Sequence, residues 1–159
     1  MEPRGNFSIE GAKITLFEAS IYEDRFGRAE SNLHFLKFEE GEKLEVRAIY
    51  TVSIEDMEIR EENEEGRVLV EAQGGGSFRF FDGEDVLIFE GDWKVEAKDT
   101  MILVENNIVK DLVVVGVYSG EGRNYYEGNR ISGRMALKLS GLTESGIGSY
   151  SIEGGGVIS

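Results

Sequence analysis

The sequence predicts one all-β domain, an antiparallel meander closed as a β-barrel, with a two-sheet β-sandwich as the alternative. Three observations predict it: apolar residues recur at period two, short glycine-bearing turn signals separate the runs, and the first and last runs resemble one another. Alternation at period two gives a strand one apolar face and one wet face, as antiparallel sheets require. Many such runs at close spacing, joined by tight turns, make a closed barrel or a sandwich.

Taken along the chain, Asn6-Phe7-Ser8-Ile9-Glu10-Gly11 opens the series and Ser149-Tyr150-Ser151-Ile152-Glu153-Gly154 echoes it near the end. Pairing of these two strands would close the sheet; coincidence of ordinary strand chemistry is the other reading. Ala19–Asn32 mixes charge with Ile21, Tyr22 and Phe26 and breaks the alternation, which fits a loop or a short helix with two aromatics capping an open end of the sheet. Leu33–Phe38 and Leu44–Ile54 flank Glu40-Gly41-Glu42. In the second run Leu44, Val46, Ala48, Tyr50, Val52 and Ile54 share a face. Alternation fails at Glu55-Asp56 and resumes at Met57 and Ile59, the mark of a bulge, which inserts one residue and resets the inward side.

Glu65-Gly66 precedes Arg67–Ala72, and Asp82-Gly83 separates Phe78–Phe81 from Val86–Phe89. Asp-Gly is a strong hairpin signal because glycine reaches positive φ without strain. Glu90-Gly91-Asp92 reads as a further turn before Trp93–Ala97, and Lys98-Asp99 as one before Met101–Val104. Gly74-Gly75-Gly76 and Gly120-Glu121-Gly122 read as turns or bulges. Ile131, Gly133, Met135, Leu137 and Leu139 make the clearest inward face. Two stretches, Val86–Phe89 and Leu112–Tyr118, are apolar on both faces and so need cover on both sides, from the Ala19–Asn32 segment or from a second subunit.

Composition narrows function by exclusion. The chain has 159 residues, no cysteine, 17 basic against 31 acidic residues and a net charge of −14. Nucleic-acid binding needs clustered Lys and Arg to displace counterions, and here they stand singly among carboxylates. The same charge disfavours anionic membranes. The N-terminus lacks a signal-peptide pattern and the longest apolar run is too short for a spanning helix, so a cytoplasmic protein is expected. Abundant glutamate, a single glutamine and the absence of cysteine match the bias of proteins from hyperthermophiles.

No cofactor or metal is expected. His34 is the sole histidine, which rules out a histidine-rich metal site and leaves it either structural or catalytic. The acids of Glu55–Glu65 and of Asp82-Gly83-Glu84-Asp85 lack the spacing of a calcium loop and read as solvated hairpin residues. Gly120-Glu121-Gly122 fails as a dinucleotide fingerprint, since Tyr125 stands at the third glycine position and no helix follows. The candidate ligand-binding residues are Arg123, Tyr125, Tyr126 and Arg130, two arginines and two tyrosines in one glycine-rich loop. Such side chains combine stacking with hydrogen bonding. The alternative is a hairpin loop whose tyrosines fold back over the barrel mouth.

The tract Gly146-Ile147-Gly148-Ser149-Tyr150-Ser151-Ile152-Glu153-Gly154 resembles the Gly-x-Gly-x-aromatic segment of allene-oxide-cyclase and dirigent-type barrels, and the chain as a whole is similar in character to hyperthermophilic archaeal proteins. The first resemblance implies an eight-stranded antiparallel barrel, often trimeric, with a cavity for an apolar substrate; it implies no catalytic residue here. The expectation from sequence is therefore a non-enzymatic barrel that binds a small apolar ligand or forms a homo-oligomer. A cyclase- or isomerase-type enzyme is the rival, and a protein-interaction sandwich the third reading.

Overall fold

In the computed structural model, residues 4–20, 26–62, 67–96, 100–105, 108–140 and 147–159 are described, with side chains for 4–10, 35–51, 53, 73–96, 111–138 and 151–159. The described chain is strand apart from turns and one 3-10 turn. The strands are β1 (Gly5–Ser20), β2 (Phe26–Phe38), β3 (Lys43–Glu62), β4 (Arg67–Phe81), β5 (Leu87–Val95), β6 (Thr100–Glu105), β7 (Ile108–Gly122), β8 (Arg130–Ser140) and β9 (Ile147–Ile158).

Apart from β5 and β6, consecutive strands pair antiparallel, and β1 pairs with β9, so the sheet closes. β5 and β6 both lie between β4 and β7 and follow one another along them, acting as a single interrupted strand. The result is an eight-position up-and-down barrel, not a sandwich. Closure pairs each of the eight positions with a neighbour on both sides, which removes the two edge strands of an open sheet. The echo between the termini is the seam: Phe7 lies opposite Gly156, Ile9 opposite Gly154 and Glu10 opposite Glu153.

Turn chemistry fixes the register at the barrel end that carries the β2–β3 and β4–β5 turns. Gly41 has φ +93°, and its N–H donates to the Phe38 carbonyl. Asp82 Oδ1 accepts from the backbone N–H of Glu84 at 2.8 Å and of Val86 at 3.0 Å, an aspartate-closed turn. The bulge expected after Ile54 is present: Glu55 lies opposite Gln73 and Glu58 opposite Glu71, three steps against two.

Three expectations are corrected. The ends of Ala19–Asn32 are strand, since β1 runs to Ser20 and β2 starts at Phe26; residues 21–25 lie outside the described residues. Glu90-Gly91-Asp92 is the interior of β5, not a turn. Gly74–Gly76 and Gly120–Gly122 likewise lie within β4 and β7. At Gly75, Gly76, Gly91 and Gly120 a Cβ would run into the backbone of the adjoining strand, so glycine there answers close packing rather than a reversal of the chain.

Two aromatics demonstrate why. Trp93 and Tyr118 are directly paired across β5 and β7 and point into the barrel, 2% and 4% exposed. Opposite Trp93 stands bare Gly76 on β4, and the indole Nε1–H donates past it to the Thr51 carbonyl on β3 at 2.9 Å. Opposite Tyr118 stands bare Gly133 on β8, and the hydroxyl donates past it to the Gly155 carbonyl on β9 at 3.0 Å. A Cβ on Gly133 would overlap that carbonyl and come 2.7 Å from the Tyr118 hydroxyl. Alternation of very large and absent side chains fills a small barrel without voids.

The rest of the interior at this end is equally full. Phe7, Leu36, Phe38, Val46, Ala48, Tyr50, Phe78, Phe80, Phe89, Val114, Ile131, Met135, Leu137 and Ile158 form one buried cluster with Trp93 and Tyr118. The inward faces expected for Leu44–Tyr50 and Ile131–Leu137 agree with this.

At this end the double-faced stretches are covered in part by the chain itself, and Val117 stays 46% exposed on the outer face of β7. In β5, Phe89 faces Phe80 while Leu87 faces Phe81, so Ile88 is an extra residue and both Ile88 and Phe89 become buried. In β7, Val113 and Val115 are half-buried on the outer wall. Beside them Arg134 on β8 bonds bidentately to Glu96 (Nε–Oε1 3.1 Å, Nη2–Oε2 2.7 Å), reaching across β7.

Candidate groove on the outer wall

Outward positions of the strands line up across the sheet in rows. One row reads Arg79 on β4, Glu90 on β5, Glu121 on β7 and Arg130 on β8. The next reads Ser77, Asp92 and Ser119. Small residues in the second row, with inward-facing Gly91 and Gly120 beside them, sink the surface into an open cleft of about 480 Å³ that both rows line. That volume lies in the range of small-molecule sites.

The first row contains an unfavourable juxtaposition, because Glu90 and Glu121 are directly opposite and like-charged. Arg123 resolves it. Its Nε donates to Glu90 Oε1 at 2.9 Å and its Nη1 to Glu121 Oε2 at 3.1 Å. Hydrogen bonds to Glu121 and then Glu90 hold the guanidinium above its ordinary range. Arg123 is therefore committed to protein. Arg79, Asp92 and Arg130 make no side-chain hydrogen bond or ion pair with the described residues, although Arg79 also lies over the Phe81 ring.

The loop after β7 is held rigidly at one end of this cleft. Asn124 has φ +55°, and its side-chain N–H donates to the Leu87 carbonyl at 2.6 Å. The Arg123 N–H donates to the Ile88 carbonyl at 2.7 Å, using the carbonyl of the bulged residue. Gly128 turns the chain with φ +93°, and Asn129, buried, donates from its side chain to the Ser159 carbonyl.

The four residues singled out from the sequence thus separate. Arg123 and Arg130 both line the cleft. Tyr126 turns back over the barrel end and stacks on Phe89, centroids 5.2 Å apart and planes 21° apart; burial, then the charge of Asp82, raises its pKa. Tyr125 points outward, 67% exposed. Sequence reasoning missed Arg79, Glu90, Asp92, Ser119 and Glu121. Counting back from the Asp82-Gly83 turn sets Arg79 opposite Phe89, because the Ile88 bulge that moves it to Glu90 has no local signal, and the β7 partners come only with the β5–β7 register.

Other candidates resolve differently. The side chain of His34 and those of Glu55–Glu65 lie outside the described residues. Asp85 pairs with Arg47 at 3.0 Å, as a solvated turn residue. Among the described residues no three His, Cys, Asp or Glu side chains gather as metal ligands, and no helix is long and apolar enough to cross a membrane. Comparison of the chain with family models, with curated proteins and with solved structures returned no match.

Proposed function

We propose that the protein is a non-catalytic binding barrel whose ligand seats in the outer-wall groove between Arg79 and Arg130. The observation that carries this reading is the set of polar groups on one cleft, two guanidinium groups and the Asp92 carboxylate, with no side-chain hydrogen-bond or ion-pair partner among the described residues, Arg79 lying only over the Phe81 ring. Recognition sites hold a few such groups on rigid elements, and all three sit on barrel strands. The apolar ligand expected from the sequence finds its place at this end of the lumen taken by Tyr50, Phe78, Phe80, Phe89 and Trp93, which favours the wall over the lumen.

A cyclase-type enzyme would turn a polar group with shifted ionisation into an open cavity. Tyr118 turns inward and burial raises its pKa, yet its hydroxyl is spent on the Gly155 carbonyl and its ring packs edge-on against Phe78. That arrangement supports a structural role.

Native mass spectrometry after equilibration with a metabolite extract tests the reading. The expected result is a small-molecule adduct, lost on denaturation and absent from the Asp92→Ala/Arg130→Ala double variant. An adduct retained by that variant would move the ligand away from the groove.

Self-association is the second reading, favoured by Val117 and Val157, 46% and 38% exposed on β7 and β9. Sedimentation of Val117→Lys/Val157→Lys against the parent chain decides it: an oligomer that the substitutions dissociate supports it, and a parent monomer removes it.

A further inference from the structure

We infer that the groove takes a neutral polyhydroxylated chain, an oligosaccharide, lying across the strands; this rests on the groove being the binding site. The first argument is charge balance. Arg79, Arg123 and Arg130 face Glu90, Asp92 and Glu121, three of each sign. A simple anion would meet the Asp92 carboxylate, and a simple cation the guanidinium groups of Arg79 and Arg130, which have no carboxylate partner among the described residues. An apolar ligand would strip water from all three and return no hydrogen bond.

A sugar hydroxyl both donates and accepts. A neighbouring pair of hydroxyls can donate to the two oxygens of Asp92, or accept from the fork of Arg79 or Arg130, without bringing a net charge into the cleft. Ser119 adds a hydroxyl between Asp92 and the outer rim, and hydroxyls match hydroxyls in either direction.

The second argument is direction. The row from Arg79 to Arg130 crosses three inter-strand gaps, about 14 Å at ordinary strand spacing. One ring reaches one end only, so a ligand that uses both arginines is a chain of linked rings. A peptide of that length is the competing occupant. Peptides gain affinity on sheets by adding a strand to a free edge, and the groove offers none, because its residues sit on strands paired to one another from β4 to β8. Across the strands a peptide's backbone groups would meet side chains only, whereas a saccharide carries its polar groups on its periphery.

The experiment is a ¹⁵N amide titration of the full chain with three neutral hexasaccharides, of β-1,4-glucose, α-1,4-glucose and β-1,4-N-acetylglucosamine. Tripolyphosphate, spermine and an uncharged octapeptide serve as competitors in class. At least one hexasaccharide is expected to shift the amides of Asp92, Ser119 and Arg130 saturably. Asp92→Ala and Arg130→Ala should each weaken it tenfold or more, with Lys43→Ala unchanged. Both groove positions are exposed, and thermal melts confirm that the variants are folded. If a competitor class moves those amides and no saccharide does, the saccharide assignment is overturned while the binding groove stands. If nothing moves them, both fall. Saccharide shifts that survive both substitutions also overturn the assignment.

Discussion

Arg123 illustrates how much a single side chain can decide on a barrel wall. Its neighbours Glu90 and Glu121 are placed opposite by the register, and without a cation between them they repel. Arg123→Ala should therefore lower the melting temperature most at low ionic strength, and the deficit should shrink as salt screens the two carboxylates. A deficit independent of salt would mean that packing, not charge, is what Arg123 supplies. Tyr118 gives a second test at this scale. Burial raises its pKa above the value of about 10 it has in an unfolded chain. Above pH 10 the unfolded chain gives up that proton while the folded one keeps it, so protons bound in the unfolded state are fewer and stability falls as pH rises. The stabilisation is complete below pH 10 and declines by about 1.4 kcal/mol per pH unit above it. Tyr118→Phe should cost about 1 kcal/mol at neutral pH, by loss of the bond to Gly155, and flatten the alkaline decline. Urea denaturation between pH 8 and 11.5 measures both.

At the scale of the strand, glycine serves two purposes that a sequence does not distinguish. Gly41 and Gly83 sit in turns, and their neighbours Glu40 and Asp82 announce it. Gly76, Gly91, Gly120 and Gly133 look the same locally, yet each lies within a strand, and a Cβ there would meet the backbone of the adjoining strand. This is why Glu90-Gly91-Asp92 is misread as a turn: the backbone that leaves no room for a Cβ at Gly91, that of Ser119 and Gly120 on β7, is supplied by pairing across the sheet. Strand faces were legible because period two is a local property, and so was the closing pair of terminal strands. The groove was not, because Arg79, Asp92 and Arg130 come together only through register across four strands. Gly76→Ala and Gly133→Ala should each destabilise by about 1–3 kcal/mol, the ordinary cost of overpacking. Gly83→Ala, where a Cβ meets open space, should change stability by less than about 0.5 kcal/mol. Chemical denaturation of the three variants compares them directly, and equal losses at all three would remove the distinction.

For the whole molecule, the decisive feature is that the strand pairings join sequence neighbours or, at β4–β6 and β5–β7, strands one apart, except at the seam. There β1 pairs with β9 and brings Phe7 to Gly156 across almost the full chain. Hairpins such as β7–β8 close short loops, whereas the seam must close the longest, and that entropy is met before any of its contacts form. The barrel should accordingly assemble as a curling meander and shut at the seam late in the rate-limiting step. Ile9→Val, a change of about 1 kcal/mol on the β1 side of the seam, should speed unfolding and leave folding almost untouched. Leu137→Ala, opposite Val114 in the β7–β8 hairpin, should slow folding instead. The single tryptophan, Trp93, buried and away from both substitutions in sequence, reports both chevron limbs by its fluorescence. Once shut, a ring has no end from which to peel, so its lifetime in the folded state is set by how often one particular pair of strands parts. Durability of this protein would then be a property of its seam, tunable there without altering the speed at which the chain first finds its shape.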